Sequence, residues 1–293
     1  MGRRDDPVVV VAAVIRLGPW VLITQRPEGS GHAGRWEFPG GKRLAHEAAR
    51  DTLNRELLEE LGIQVSRARP LLAVTHRYAP DAPAVHIDCW LVEGWRGEIA
   101  PLDGQQLRWC EREELPDADI LEADRPIVTA LRLPATFVRV DDPDTLVERI
   151  PVGRTRERVA WIVPALPRDP GVVRRLRDHG DALFVLDPHG PPELGAGRVD
   201  SAVRPVDRAP GDRTLRGVLV HSADDARRAA AHGADFVLVP ERGLATEDWP
   251  GIAALGLPFY VNVAAPAPPA AMNVAATGKL WWKSGGLGGI ERL

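Results

Sequence analysis

Arg55-Glu56-Leu57-Leu58-Glu59-Glu60-Leu61-Gly62-Ile63 decides how the first part of this chain folds. Upstream of it, Ala49, Leu53, Leu57 and Leu61 recur every four residues, which predicts one buried helical stripe from about Ala45 to Leu61. Gly62 stands where a left-handed residue closes a helix. The polar side of the same turns is at odds with that ending. Glu56, Glu59 and Glu60 stand at i, i+3 and i+4, so their carboxylates share one face. Glu56 and Glu60 repel each other, and Glu59 and Glu60 occupy the last turn, where the helix dipole disfavours anions. Only Arg55 is placed on this helix to offset them, reaching Glu59 at i+4. Each penalty is about 0.3 to 1 kcal/mol and all have the same sign. Clustered local violations of this kind point to a site. Hard carboxylate oxygens in this number suit Mg²⁺ or Mn²⁺, which also bridge substrate phosphates. A solvated acidic face accounts for the helix, taken alone, equally well.

The residues around the helix favour the site. Gly41, five residues, Glu47, seven residues and then Arg55 to Ile63 resemble the Nudix box at every defined position. Beyond the box, Thr24-Gln25-Arg26, Trp36-Glu37-Phe38-Pro39-Gly40-Gly41-Lys42, Trp90-Leu91-Val92-Glu93 and Asp103-Gly104-Gln105 are similar to the MutT branch of that family. The resemblance covers residues 8–133. It implies an α/β/α sandwich around a mixed sheet. The implied reaction is hydrolysis of a nucleoside triphosphate to monophosphate and pyrophosphate, with 8-oxo-dGTP as the leading substrate. Another nucleotide or a thiamine-pathway pyrophosphate is the alternative.

Position by position, the resemblance implies that Glu56, Glu59 and Glu60, with the Gly40 carbonyl, hold Mg²⁺, for which Mn²⁺ can substitute. Asp103 falls where the branch carries a further acidic ligand, there usually Glu. Glu56, Arg55, Glu59 and Glu47 form the implied catalytic set: Glu56 orients or deprotonates the attacking water, and Arg55 and Glu47 orient their neighbours. Arg26 and Lys42 contact phosphate or substrate, and Phe38 lies beside the base. Asp124, within Glu122-Ala123-Asp124-Arg125-Pro126, stands where the branch reads the base edge with Asn. An ionised Asp only accepts hydrogen bonds, so it takes the extra N–H of an 8-oxopurine but does not donate to a purine carbonyl.

The rest of the first domain reads as strands at Val8–Arg16, Trp20–Gln25, Leu71–Arg77, Ala84–Val92 and Leu107–Cys110, with a last helix at about Arg125–Leu133. Domain boundaries are expected at 1–133 and 151–293, joined by an acidic, turn-prone linker over 134–150. After the linker, Val159–Val163, Gly171–His179, Ala182–Leu186, Gly217–Val220, Asp224–His232 and Asp235–Val239 alternate strand, helix and strand, as βα units on a parallel sheet do. Gly190–Asp212, rich in Gly, Pro, Arg and Asp, reads as a long loop. Leu215–Pro240 resembles thiamine phosphate synthase, a TIM barrel. The Thr, Lys and Gly-Gly-Ile phosphate turns expected after Val239 are replaced by Glu241-Arg242-Gly243-Leu244-Ala245-Thr246 and Asn262-Val263-Ala264-Ala265-Pro266. The expected second domain is therefore a degenerate barrel, complete or not. Catalysis is not expected there, and a metabolite-binding regulatory role is an alternative for the protein. Trp281-Trp282 reads as packing, and His221 as a structural or vestigial position.

Composition bounds the alternatives. The chain has 293 residues, 44% hydrophobic and 27% charged, which is enough core for two domains. A net charge of −4 argues against stable binding to a nucleic-acid polymer, though not against one nucleotide. Cys89 and Cys110 form no CxxC pair, so neither a disulfide framework nor a zinc site is expected and the cytoplasm is the expected location. No apolar run approaches the roughly 18 residues of a membrane span, and Val8–Ile15 reads as a first strand rather than a signal peptide.

Overall fold

The computed structural model describes residues 7–115, 118–134, 136–140, 142–143, 159–178, 182–187, 202–205, 215–239, 244–262 and 278–281. Two compact units divide the chain, Met1–Arg132 and Leu133–Leu293.

The first unit is built on β1 (Val8–Leu17), a strand of β-branched and small apolar residues whose alternation serves two cores. Val11, Ala13 and Ile15 pack with Leu53, Leu57 and Leu61 of α1 (Ala49–Leu61). Ala12 and Val14 face the other way, into a core with Ile127, Val128 and Leu131 of α2 (Arg125–Arg132). That is a helix on each face of one sheet. Beside β1 run β2 (Trp20–Gln25), antiparallel, and β6 (Val85–Arg96), parallel, which makes the sheet mixed. The strands β3 (Trp36–Glu37) and β7 (Gln106–Glu111) pair with β2; β4 (Gly40–Lys42) pairs with β1; β5 (Gln64–His76) pairs with β6. The expected sandwich and mixed sheet are present.

Two local readings need correction. The helix starts at Ala49 rather than Ala45, because His46 takes a left-handed φ of 68° and the Glu47 carboxylate turns back to accept from Leu44 N–H. The end is as expected: Gly62 is left-handed at φ 71°, and its N–H bonds to Leu58 O. The strand expected at Leu71–Arg77 runs from Gln64 to His76, its first half carried past register shifts between Val65 and Leu72. Those shifts break the period-2 pattern that would have revealed it.

In the second unit, β8 (Thr136–Arg139), β9 (Val159–Val163), β10 (Ala182–Asp187), β11 (Ala202–Pro205), β12 (Gly217–Leu219), β13 (Phe236–Val239), β14 (Phe259–Asn262) and β15 (Gly278–Trp281) pair into a closed ring. All neighbours are parallel except β11, which is antiparallel to both β10 and β12. The inward residues Phe137, Ala160, Ile162, Phe184, Leu219, Phe236, Leu238 and Tyr260 form one cluster. Phe137 packs against Phe184, Phe236 and Tyr260 at ring separations of 5.2, 5.2 and 4.7 Å, so aromatic rings fill this interior. The Tyr260 hydroxyl is satisfied by donating to Pro134 O. Alternate residues point outward beneath α3 (Pro170–Asp178), α4 (Ala223–Ala231) and α5 (Trp249–Ala254).

Part of the expected linker is thus a strand: Thr136–Arg139, β-branched and aromatic, pairs with β9 and β15. The long loop expected at Gly190–Asp212 contains β11, and its remaining residues lie outside the described ones. Trp281 lies in β15, while Trp282, Glu241-Arg242-Gly243 and Val263–Pro266 lie outside the described residues.

These bounds set where the first unit can be cut. A fragment of residues 1–132 should be soluble and unfold in one cooperative thermal transition. A fragment of residues 1–138 should be more prone to aggregate, because it carries Phe137 and Val138, both buried in the full chain, without β9 or β15. Light scattering and thermal melts of the two fragments test this; a scattered transition for the shorter one would reject the boundary.

Candidate active site

Leu53, Leu57 and Leu61 are fully buried, which fixes the rotation of α1 and turns Glu56 and Glu60 toward β4. There the chain comes very close. A Cβ on Gly41 would lie 2.4 Å from the Glu56 carboxylate carbon, and one on Gly40 would lie 2.1 Å from Val11 O. Gly40 also has a φ of 139°, which side chains rarely adopt. Two glycines in sequence therefore let a strand lie against a glutamate face. Gly40 N–H donates to Glu60 Oε2 at 3.1 Å, so the described link between Gly40 and the glutamates runs through its N–H.

Arg55 organises the other carboxylates. Its Nε donates to Glu47 Oε1 at 2.9 Å and Nη2 to Glu47 Oε2 at 3.0 Å, a two-pronged contact. Nη1 donates to Glu56 Oε1 at 2.9 Å and Glu59 Oε2 at 3.1 Å, and Nη2 also reaches the Lys42 carbonyl at 3.1 Å. Glu47 further accepts from Thr52 Oγ1 and Leu44 N–H. The Arg55 fork, with these donors, holds the Glu47 carboxyl down at about 2. Glu60 goes the other way. Burial, then repulsion from Glu56, Glu37 and Asp103, pushes it up to about 8, against the pull of the Gly40 N–H. Asp103 is brought in by its loop: Leu102 N–H donates to Glu60 O, and Gln105 ties Asp103 N–H to the same carbonyl. Buried Gln105 is a positioning residue that spacing alone did not single out.

A second group lies at the other end of the Trp36–Gly40 segment. Arg26 pairs with Glu37 at 2.7 Å. Asp124 is 4% exposed, and its Oδ2 accepts from Phe38 N–H at 3.2 Å. Glu37 was not among the expected site residues, yet its charge raises both Glu60 and Asp124 and so links the two groups. A charged residue between Trp36 and Phe38 in a strand was the available signal. Tyr78, also missed, packs on His32 at 4.7 Å and His76 at 4.6 Å, and the Asp124 charge helps to raise it. Lys42 is exposed, and only its carbonyl joins the Arg55 network.

The donor set fits a hard divalent cation in type: Glu56, Glu60 and Asp103 are carboxylates, and burial together with the charges of Glu56, Glu37 and Asp103 raises Glu60. Among the described residues no three His, Cys, Asp or Glu side chains already converge to enclose an ion. Glu59 is 59% exposed and held by Arg55.

The NUDIX domain model matches residues 6–131. The chain is 36% identical to the CTP pyrophosphohydrolase of Escherichia coli K12, over 42% of this chain and 90% of that protein. It is 42% identical to the 8-oxo-dGTP diphosphatase of Proteus vulgaris, over 29% of this chain and 73% of that one. Among solved structures, the MutT NUDIX hydrolase of Burkholderia pseudomallei is 28% identical with a TM-score of 0.40, over 42% of this chain and 97% of that one. This chain belongs to the NUDIX family and is a Nudix hydrolase.

The two glycines should fail differently. Gly41→Ala meets only the far end of a side chain, so it should displace Glu56 with little loss of stability and a clear loss of turnover. Gly40→Ala meets backbone and a positive φ, so it should cost on the order of 1–3 kcal/mol of stability. Denaturant melts and initial rates separate the two; a Gly41→Ala enzyme as active as wild type would show that Glu56 is not needed where it lies.

Proposed function

We propose that the first unit hydrolyses a nucleoside triphosphate to its monophosphate and pyrophosphate, with 8-oxo-dGTP as the preferred substrate. The observation that carries this reading is the glutamate face of α1 held against Gly40-Gly41, with Glu60 buried among like charges. Glu56, Glu59, Glu60 and Asp103, with the Gly40 carbonyl, would hold Mg²⁺, for which Mn²⁺ can substitute. When bound, the metal stabilises charge on the phosphoryl oxygens. Glu56 orients the attacking water and takes its proton, while the bond between the α- and β-phosphoryl groups breaks and pyrophosphate leaves. Arg55 holds Glu56 in place through its hydrogen bond to Oε1 and is itself anchored by Glu47 and Lys42 O. Arg26 and Lys42 supply positive charge for the substrate, and Phe38 and Asp124 meet the base.

A cytosine nucleotide is the second reading. It is favoured by the buried Asp124 carboxyl, because a carboxylate accepts from the exocyclic amine of cytosine. The relative named CTP pyrophosphohydrolase points the same way.

For the second unit we propose a degenerate TIM-type barrel resembling thiamine phosphate synthase, without catalysis of its own. The strand ring and its filled interior support the barrel, and the antiparallel β11 supports its divergence.

Glu56→Gln keeps size and removes charge, so kcat should fall roughly 10²- to 10⁴-fold with folding intact. Chelator should abolish turnover, and Mg²⁺ or Mn²⁺ should restore it. A hydrolysis screen of 8-oxo-dGTP, dGTP, CTP, ADP-ribose and thiamine diphosphate ranks the substrates; activity that ignores chelator rejects the metal-dependent reading. The full chain should form no thiamine phosphate from a pyrimidine diphosphate and a thiazole phosphate, and its formation would overturn the degenerate barrel.

A further inference from the structure

A cavity of about 700 Å³ lies beside the start of β1 and residues 42–48. None of Gly40, Gly41, Glu56, Glu60 or Asp103 lines it, so it is separate from the glutamate face. Its volume falls in the range of roughly 300–1,000 Å³ that small-molecule sites occupy. Val8, Val9 and Leu44 give it an apolar wall, and Lys42, Arg43 and His46 bring three nitrogen-bearing side chains to it from one short stretch. These groups are unequally engaged. Among the described residues, the side chains of Lys42 and His46 have no hydrogen-bond or ion-pair partner. Arg43 pairs with Asp88 at 3.6 Å, too long for a hydrogen bond, and Asp88 is shared with His86 at 3.3 Å. Glu47, the acidic residue of the lining, is taken up elsewhere. Arg55, Thr52 Oγ1 and Leu44 N–H all donate to it and hold its carboxyl down at about 2. The cavity is left with cations and donors that nothing in the described chain satisfies. The backbone adds an independent sign: His46 takes a left-handed φ of 68°. Glycine adopts that conformation without strain, and side-chain-bearing residues held in it cluster where ligands are clamped.

We propose that this cavity is a second binding site, for a phosphate monoester with an organic body. Its phosphate is held by Arg43, His46 and Lys42, and its body lies on Val8, Val9 and Leu44. A phosphate monoester carries a charge of about −1.5 to −2 at neutral pH and three strong acceptor oxygens, which match two cations and an imidazole N–H. The Arg43 guanidinium can grip two of those oxygens at once. Inorganic phosphate alone would leave the apolar wall wet, so an ester gains more from the site. Lys42, next in the chain to Gly41, is the residue this site has in common with the substrate contacts proposed above. Arg43 and His46 belong to the cavity alone.

The test uses the full chain with isotope-labelled histidines, in excess chelator and at constant pH. AMP, adenosine and inorganic phosphate are titrated in turn, and the imidazole signals are followed by NMR. The His46 signal should move saturably with AMP, more weakly with inorganic phosphate and not with adenosine. His32 and His76 pack on Tyr78, toward Asp124, and report on that end of the first unit instead. Arg43→Gln should weaken AMP binding about 10-fold, the worth of one charge-assisted hydrogen bond. His46→Gly removes the imidazole at a φ that glycine tolerates, and equilibrium dialysis should show its AMP affinity about 5-fold or more below wild type. Should Arg43→Gln fail to fold because it strands Asp88, His46→Gly decides alone. The site is overturned if His46 shows no saturable shift up to about 10 mM AMP, or if only His32 and His76 respond. A response that adenosine reproduces, or an AMP affinity that neither variant lowers, would overturn it equally.

Discussion

The rotation of α1 about its own axis is the constraint on which the site depends. Leu53, Leu57 and Leu61 are buried against Val11, Ala13 and Ile15, and that packing leaves the helix one orientation. Burying a leucine is worth about 1.5–3 kcal/mol, so three of them outweigh the penalties of about 0.3 to 1 kcal/mol from grouped glutamates. The apolar stripe thus holds an acidic face where electrostatics alone would not leave it. The same strand, β1, supplies the partners of both helices by alternation, which ties the site to the middle of the sheet.

Close approach is what turns the acidic face into a site. Gly40 and Gly41 let β4 lie against Glu56 and Val11, nearer than any side chain would allow. Arg55 then divides the carboxylates by environment. Glu47, gripped by the fork, is held low at about 2, whereas Glu60, buried and facing Glu56, Glu37 and Asp103, is raised to about 8. One is an anchor, and the other is a carboxyl that ionises readily only when a cation compensates it. Glu37 carries this electrostatic link onward to Asp124, so the glutamate face and the Asp124 end of the segment share one field.

Much of this was legible in the sequence. The period-four leucines, Gly62 as helix end and the spacing from Gly41 to Ile63 placed the helix, its closure and the glutamate cluster, because those signals are local. Local signals were misleading where tertiary pairing decides. Thr136–Arg139 looked like linker and Ala202–Pro205 like loop, yet both are ring strands completed by partners distant in sequence. A four-residue strand has too few positions for a period to show.

The sequence by itself determined which residues could bind a cation and on which face of a helix they stand, since helical spacing fixes that without reference to anything else. The mixed-sheet sandwich of the first unit was legible only as what the resemblance of residues 8–133 to the Nudix family implies, not from periodicity. Only the tertiary structure decided the charge states. Burial raises Asp124 to about 7, Glu37 adding to it against the Phe38 N–H and an Arg26 already engaged by Glu37. No spacing encodes that, because a carboxyl's pKa is set by the solvent it loses and the charges it meets, and both come from segments brought together by folding.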